Sequence, residues 1–459
     1  MAELSVAHRA ALAQLVERVP DGTLSQLARA VAMMPGDKAR GLEILLETES
    51  LDRTRRAQAL GPLAPMFRVR ADGVASTHFP PGVLPRLWKI ASASEPELLP
   101  LMDDDGGRQA ARAAMVCGRI CLAAATAVRD QADIVWPVDL GDAAERETGL
   151  AELARCCDLG PLIHRALPSL KTWVGRPGAD DLAELRLLVR DCSTVTPDGA
   201  QRVFEILFAH LADAGLILRL LAHASNSTGR ETFLAGSELA VFVDRLIVAL
   251  QDRVARIGRF DARHGSPPSV ETLKADLEWA SEILSELDTT LHLQADSPWG
   301  AAARQVRVRI GETLASLLGG VTKTVERVLP MSRVQTAGRM SRAMPDLSAP
   351  LDATVIEAAT QSLARVRAVR GCAGMFGCES QRSRLVETLT ERLADYADQA
   401  LELVNGGDAP DQANALLHIE AVACLMDMIE ATDQARTVRR RAAVAGDAHL
   451  YGLVSPVAA

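Results

Sequence analysis

The chain has 459 residues, a formal net charge of -9 and 48% hydrophobic residues, enough apolar material for two or three domains with sizeable cores. These values exclude disordered and fibrous classes, and no uncharged apolar run approaches the roughly 18 residues of a membrane span. Basic residues are almost all arginine, the lysines being Lys38, Lys89, Lys171, Lys274 and Lys323, and asparagine is confined to Asn226, Asn405 and Asn414. Codons for lysine and asparagine are rich in A and T, so the arginine excess points to a GC-rich, bacterial genome and is weak support for nucleic-acid binding. Aromatic residues are only 3%, so Leu, Val, Ala, Ile and Met must fill the core, which argues against an aromatic-lined pocket.

In chain order, helical periodicity runs over 5–18, 23–34, 38–48 and 51–60. The start, Met1 to Arg9, has no basic segment followed by an apolar stretch, so a cytoplasmic location is expected. Met66 to Arg70 and Val74 to Phe79 alternate on either side of Asp72 and Gly73, which predicts a β-hairpin over 66–79, ended by Pro80, Pro81 and Gly82. Short helices with Pro/Gly turns follow to about residue 225. From Arg230 the helices lengthen, with apolar seams at Leu239, Val243, Leu246, Leu250, Val254 and Ile257, then at Val270, Leu273, Leu277, Ala280, Leu284, Leu287 and Leu291. Further seams are Ile310, Leu314, Leu317, Val321, Val325 and Val328, and Leu385, Leu389, Leu393, Tyr396, Ala400 and Leu403. Ser297 before Pro298 predicts a helix start, because serine caps free amides and proline needs no amide partner at the first helical position. The alternating Val306 to Ile310 is expected to be helical because it feeds the seam to Val328. The polar stretch from Pro330 to Pro350 is expected to be a linker. No fixed repeat of about 34 or 40 residues is visible.

The expected fold is therefore all-α: irregular helical hairpins leading into a long-helix antiparallel bundle, with one small hairpin. The expected divisions are an N-terminal helical domain with the hairpin over 1–100, a short-helix domain over 101–228, the long-helix bundle over 229–445 and a tail over 446–459.

Candidate chemistry is sparse. Asp103, Asp104 and Asp105 form the best candidate cation site, since adjacent carboxylates repel unless a cation offsets them. The simpler reading is a solvated acidic helix start. Cys117 and Cys121 share a helical face and Cys156 adjoins Cys157, but neither pair has the turn spacing of a zinc site, so buried thiols are expected. Cys372 and Cys378 flank a glycine-rich turn where a reversible disulfide is conceivable, although docking into the core is the simpler reading. His418 lies about 160 degrees around the helix from Glu420, so these two and Cys424 do not form one catalytic face. His210 and His223 are expected in core or boundary positions. Gly319 to Thr324 lacks the glycine and preceding strand of a phosphate loop. Arg436, Arg439, Arg440 and Arg441 close the last helix, where they complement its dipole and present a candidate partner-binding cluster for an acidic protein.

The function expected from this pattern is a non-enzymatic helical scaffold or adaptor that binds partner proteins, with no cofactor, no metal and no membrane association, and with homo-oligomerisation left open. One alternative is a transcriptional or nucleic-acid-associated regulator, with a winged-helix-like module built on the 66–79 hairpin and phosphate contacts from Arg68 and Arg70. The acidic balance and Glu43, Glu47 and Glu49 on its recognition helix count against it. A further alternative is an all-helical metal-dependent enzyme using Asp103 to Asp105.

Overall fold

The computed structural model describes residues 6–17, 19–34, 37–103, 110–140, 142–225, 231–260, 267–335 and 341–452. The fold is all-α, with one two-stranded β-ribbon among the described residues. The chain divides into two compact units, Met1–Arg245 with Thr290–His292, and Leu246–Thr289 with Leu293–Ala459.

The first unit contains α1 (Val6–Glu17), α2 (Asp21–Ala32), α3 (Asp37–Leu60), α4 (Val83–Ser94), α5 (Ala110–Asp130), α6 (Ala132–Val135), α7 (Ala143–Asp158) and α8 (Gly160–Ala166). It continues through α9 (Leu170–Val174), α10 (Ala179–Val195), α11 (Gly199–His210), α12 (Leu216–Ala224) and α13 (Glu231–Ala235), and its boundary falls within α14 (Ala240–Gly258). The periodic stretches at 38–48 and 51–60 merge into the single helix α3. Its N-terminal half holds α1 and α2 through a cluster of Val16, Leu24, Val31 and Leu46. Arg53 locks that junction by donating to Glu49, to Asp21 and to the carbonyl of Val16 at 2.6, 2.5 and 3.0 Å. Helix α5 is the hub of this unit, packing on α3, α4, α7 and α8 with Val116, Ile120, Cys121, Ala124 and Val128 buried. Glycine permits one close approach here: a Cβ on Gly160 would lie 2.6 Å from Cys121 Sγ.

The second unit contains α15 (Pro267–Glu286), α16 (Pro298–Gly319), α17 (Val321–Glu326), β1 (Met331–Gln335), β2 (Ser341–Pro345), α18 (Ala353–Val369), α19 (Glu379–Gly406), α20 (Gln412–Met428) and α21 (Thr432–Gly452). Ser297 caps α16 as its sequence predicts, accepting the Gly300 amide at 2.9 Å with Pro298 at the first position. Helix α19 stops at Gly407, whose φ of 74° is the left-handed geometry that lets its own amide and that of Asp408 close on the last carbonyls. The seams face inward: Leu277, Leu284, Leu287, Leu314, Leu389 and Leu393 are all buried. Helix α18 packs on α15, α17 and α20, and α19 packs on α16, α20 and α21. Val306 to Ile310 is helical, as its continuity with the next seam requires.

One expected element is displaced. Residues 66–79 form no strand pair; Ala64–Phe67 is a 3-10 turn and the rest, apart from the bend at 68 and the turn at 71–72, has no regular secondary structure. The Asp-Gly turn itself is present, with Gly73 at φ 70° and its amide 3.2 Å from Arg70 O, but the arms share only the bond from Phe79 N to Met66 O, at 2.7 Å. Between the arms no ladder forms: the Thr77 amide is spent on Glu205, and the Arg70 side chain ties its arm to carbonyls at the end of α11 and just beyond it. The strand pair lies instead in the stretch expected to be a linker, where β1 and β2 are antiparallel with Met331 opposite Pro345 and Val334 opposite Arg342.

Candidate functional site

The 68–79 arm is one wall of a concavity in the first unit, and its anchoring begins with arginine. Arg70 donates to Asp72 at 3.0 Å and to the carbonyls of Phe208 and Leu211 at 2.6 and 3.0 Å, while its guanidinium lies 4.0 Å from the centre of the Phe208 ring. Carbonyls at the end of α11 supply the acceptors, and the ring face supplies cation–π attraction. Farther along, the Thr77 amide donates to Glu205 Oε2 at 3.3 Å. Glu205 is buried in α11, with Arg245 Nη1 2.8 Å from its other oxygen. That last contact lacks hydrogen-bond alignment, so the pair is held by charge rather than by a directed bond.

The floor is aromatic. Phe79 lies 5.4 Å from Phe67 and 6.3 Å, edge to face, from Trp136. Gly149 of α7 brings the opposite wall against this floor, since a Cβ there would sit 2.6 Å from the Trp136 ring. Arg146 pins Trp136 from the backbone side, donating to its carbonyl at 2.5 Å. The Trp136 indole N–H is buried and has no hydrogen-bond partner among the described residues. The resulting cleft, about 790 Å³, is lined besides by Pro80, Leu140, Thr148, Glu145 and Glu152. Its lining holds two carboxylates and no lysine or arginine. The expectation that few aromatics exclude an aromatic-lined pocket is therefore corrected: the turns beside Pro80 and Pro137 gather three of the scarce rings in one place.

Below the acidic rim a network fixes α7 to α11. Glu152 pairs with Arg202 at 2.8 Å, and Arg202 and Arg155 both reach Asp198 at 2.9 Å. Burial alone would raise the Asp198 carboxyl. Hydrogen bonds from Thr196 and Arg202, with the charges of Arg202 and Arg155, outweigh it and hold the group down to about 2.

The residues singled out from sequence are placed as follows. Asp103 pairs with Arg55 of α3, whose hydrogen bond lowers the carboxyl below its usual range; Asp104 and Asp105 lie outside the described residues. Arg70 is consumed internally and is not exposed for phosphate contacts, unlike Arg68. Cys117, Cys121, Cys156, Cys157 and Cys192 are buried thiols, and burial pushes Cys121 and Cys156 up to about 12. No group of three ligating side chains suited to a metal occurs among the described residues. Cys372 and Cys378 are buried in the turn between α18 and α19, with Cys378 Sγ directed at the Gly311 carbonyl. His418 is buried, donating to Ala349 O at 2.9 Å while its other ring nitrogen faces Tyr396 OH, whereas Cys424 is exposed. His210 and His223 bond the carbonyls of Pro62 and Trp173.

The arginine cluster of α21 is largely engaged within the second unit. Arg439 bridges Glu420 and Asp427 at 2.9 and 2.7 Å, Arg441 pairs with Asp398, and Arg436 pairs with Asp433. Arg440 is exposed.

No family model, curated protein or solved structure matches this chain. Among the described residues no helix is long and apolar enough to cross a membrane.

Proposed function

We propose that this chain is a non-enzymatic cytoplasmic adaptor that holds a short segment of a partner protein in the cleft between the 68–79 arm and α7. The observation that carries the reading is the cleft itself: an apolar floor of Phe67, Phe79 and Trp136 under a rim with the exposed carboxylate of Glu145, with Glu152, which Arg202 already pairs, and with no lysine or arginine in the lining. Its volume is that of a small-ligand or side-chain site. An occupant suited to it carries an apolar anchor for the floor and a lysine or arginine for the rim. The wall is firm, since Arg70, Glu205 and Gly73 fix the arm at both ends, and a rigid wall lowers the ordering cost of binding.

The test is peptide selection against the intact chain, followed by titration of the selected peptides against Thr148→Trp. Thr148 is exposed on the lining, so the substitution fills the cleft without touching the core. Selected peptides should be rich in paired apolar and basic residues and should lose at least about tenfold in affinity on the variant. Peptides that bind both proteins equally, or no selected peptide at all, would overturn the reading.

A further inference from the structure

We infer that the β1–β2 ribbon of the second unit is an incomplete sheet that takes an acidic, extended peptide as a third strand along β1. This does not rest on the cleft, which belongs to the first unit.

Three observations converge on it. A two-stranded ribbon has too little buried surface to stabilise itself, yet this one is sparingly covered: Met331 is 49% and Val334 43% exposed. The strand that packs on α19 is β2, where Pro345 is buried. Strand β1 lies on the other side of the ladder, and no backbone group of Met331–Gln335 bonds any described residue outside β2. Alternate amides and carbonyls of an edge strand point away from its partner, so β1 presents a row of main-chain donors and acceptors.

Charge selects the occupant. Between Glu326 and Asp346 the sequence has Arg327, Arg333, Arg339 and Arg342 and no carboxylate, within a chain whose net charge is -9. Arg333 and Arg342 are exposed, and neither has an ion-pair partner among the described residues. The register places Val334 opposite Arg342, and Arg333 projects to the other face of the ribbon. An added strand thus meets Arg333 directly on one face, while on the other Arg342 lies behind Val334, two strand spacings or about 10 Å away and within reach of a long guanidinium side chain; Met331 and Val334 offer apolar contact beside them. A second copy of the ribbon would bring like charges together, the ordinary way in which edge arginines prevent self-pairing. A polyphosphate would meet the same arginines, but it cannot use the main-chain edge, and the net charge of the chain opposes it. An extended segment alternating acidic and apolar residues satisfies edge, faces and charge together.

The experiment titrates the full chain with an acetylated, amidated eight-residue peptide alternating Glu and Val, at about 150 mM salt. Its counterpart carries N-methyl groups on alternate residues, which removes the pairing amides and keeps the charge. The unmethylated peptide should bind, with affinity at least about tenfold above the methylated one and a comparable loss in the Arg333→Glu, Arg342→Glu double variant. Equal binding of the two peptides, no binding at millimolar concentration, or unchanged binding by the double variant overturns the inference. So does tighter binding of a duplex DNA of equal charge, or a dimer that the double variant dissolves. The Thr148→Trp protein should bind this peptide normally, which separates failure here from failure of the cleft.

Discussion

Glu205, a buried carboxylate in α11, accepts the backbone amide of Thr77 in the arm that walls the cleft, 128 positions away in sequence. A buried charge in a helix is costly unless compensated, and here Arg245 compensates it together with the same contact that fixes the arm.

Replacing Glu205 by Ala strands the Arg245 guanidinium and frees the Thr77 amide. We expect a loss of about 3 kcal/mol, the usual consequence of removing one partner from a buried pair, read by urea unfolding. Peptides selected for the cleft should weaken as well. A variant as stable as the parent would show that Glu205 does not hold the arm.

Gly149 and Trp136 give a second test. Alanine at 149 gains up to about 1 kcal/mol of helix propensity, but its Cβ would stand 2.6 Å from the indole. Overpacking costs about 1–3 kcal/mol, so Gly149→Ala should be destabilising overall. In a Trp136→Ala background the same substitution should become neutral or stabilising. Destabilisation of equal size in both backgrounds would mean that the ring is not what Gly149 makes room for.

These relationships mark where the sequence stops being legible. The long seams were readable because burial of one face imposes its own period: Leu277, Leu284, Leu314 and Leu389 face inward as their spacing demands. Cap chemistry at Ser297 was equally local. The 66–79 hairpin failed because local alternation and an Asp-Gly turn specify a bend, while the fate of the arms depends on α11 acceptors far away in the chain. The true strand pair was hidden by its composition, since Ser332, Arg333, Ser341 and Arg342 look like a polar linker. The cleft was invisible for the same reason as the hairpin: Phe67, Phe79, Trp136 and Gly149 meet only in three dimensions. The one available signal was that aromatics, scarce throughout, occur beside Pro80 and Pro137.

The second unit provides a ranking. Leu284 is fully buried, so Leu284→Asp should cost at least about 3 kcal/mol by placing a carboxyl in the core. Replacing Arg439, Arg440 and Arg441 together by Ala removes ion pairs to Glu420, Asp427 and Asp398, all at least a third exposed. Such pairs contribute about 0–1 kcal/mol each, so the triple variant should remain the more stable of the two. Thermal unfolding in the opposite order would refute the assignment of inward faces.

The last expectation concerns pH and two histidines at one helix end. His164 and His210 donate from Nε2 to the carbonyls of Ala59 and Pro62, at and just beyond the C-terminus of α3. Burial lowers both below the ordinary histidine value of about 6.5, more than the backbone bonds raise them. In the unfolded chain these rings titrate near that ordinary value, so below it the unfolded state binds more protons than the folded one. The contribution is therefore fully present above pH 6.5 and is lost as pH falls from there through the lower folded values. Asp198, held near 2, is lost only at far more acid pH, below the ordinary 3.8 of a free aspartate. Thermal midpoints should thus decline as pH is lowered from about 7.5 to about 5.5. Glutamine at both positions keeps an N–H donor and removes the titration, so the His164→Gln, His210→Gln variant should show a flatter profile across that window. An unchanged slope in the variant would place the pH dependence elsewhere in the chain.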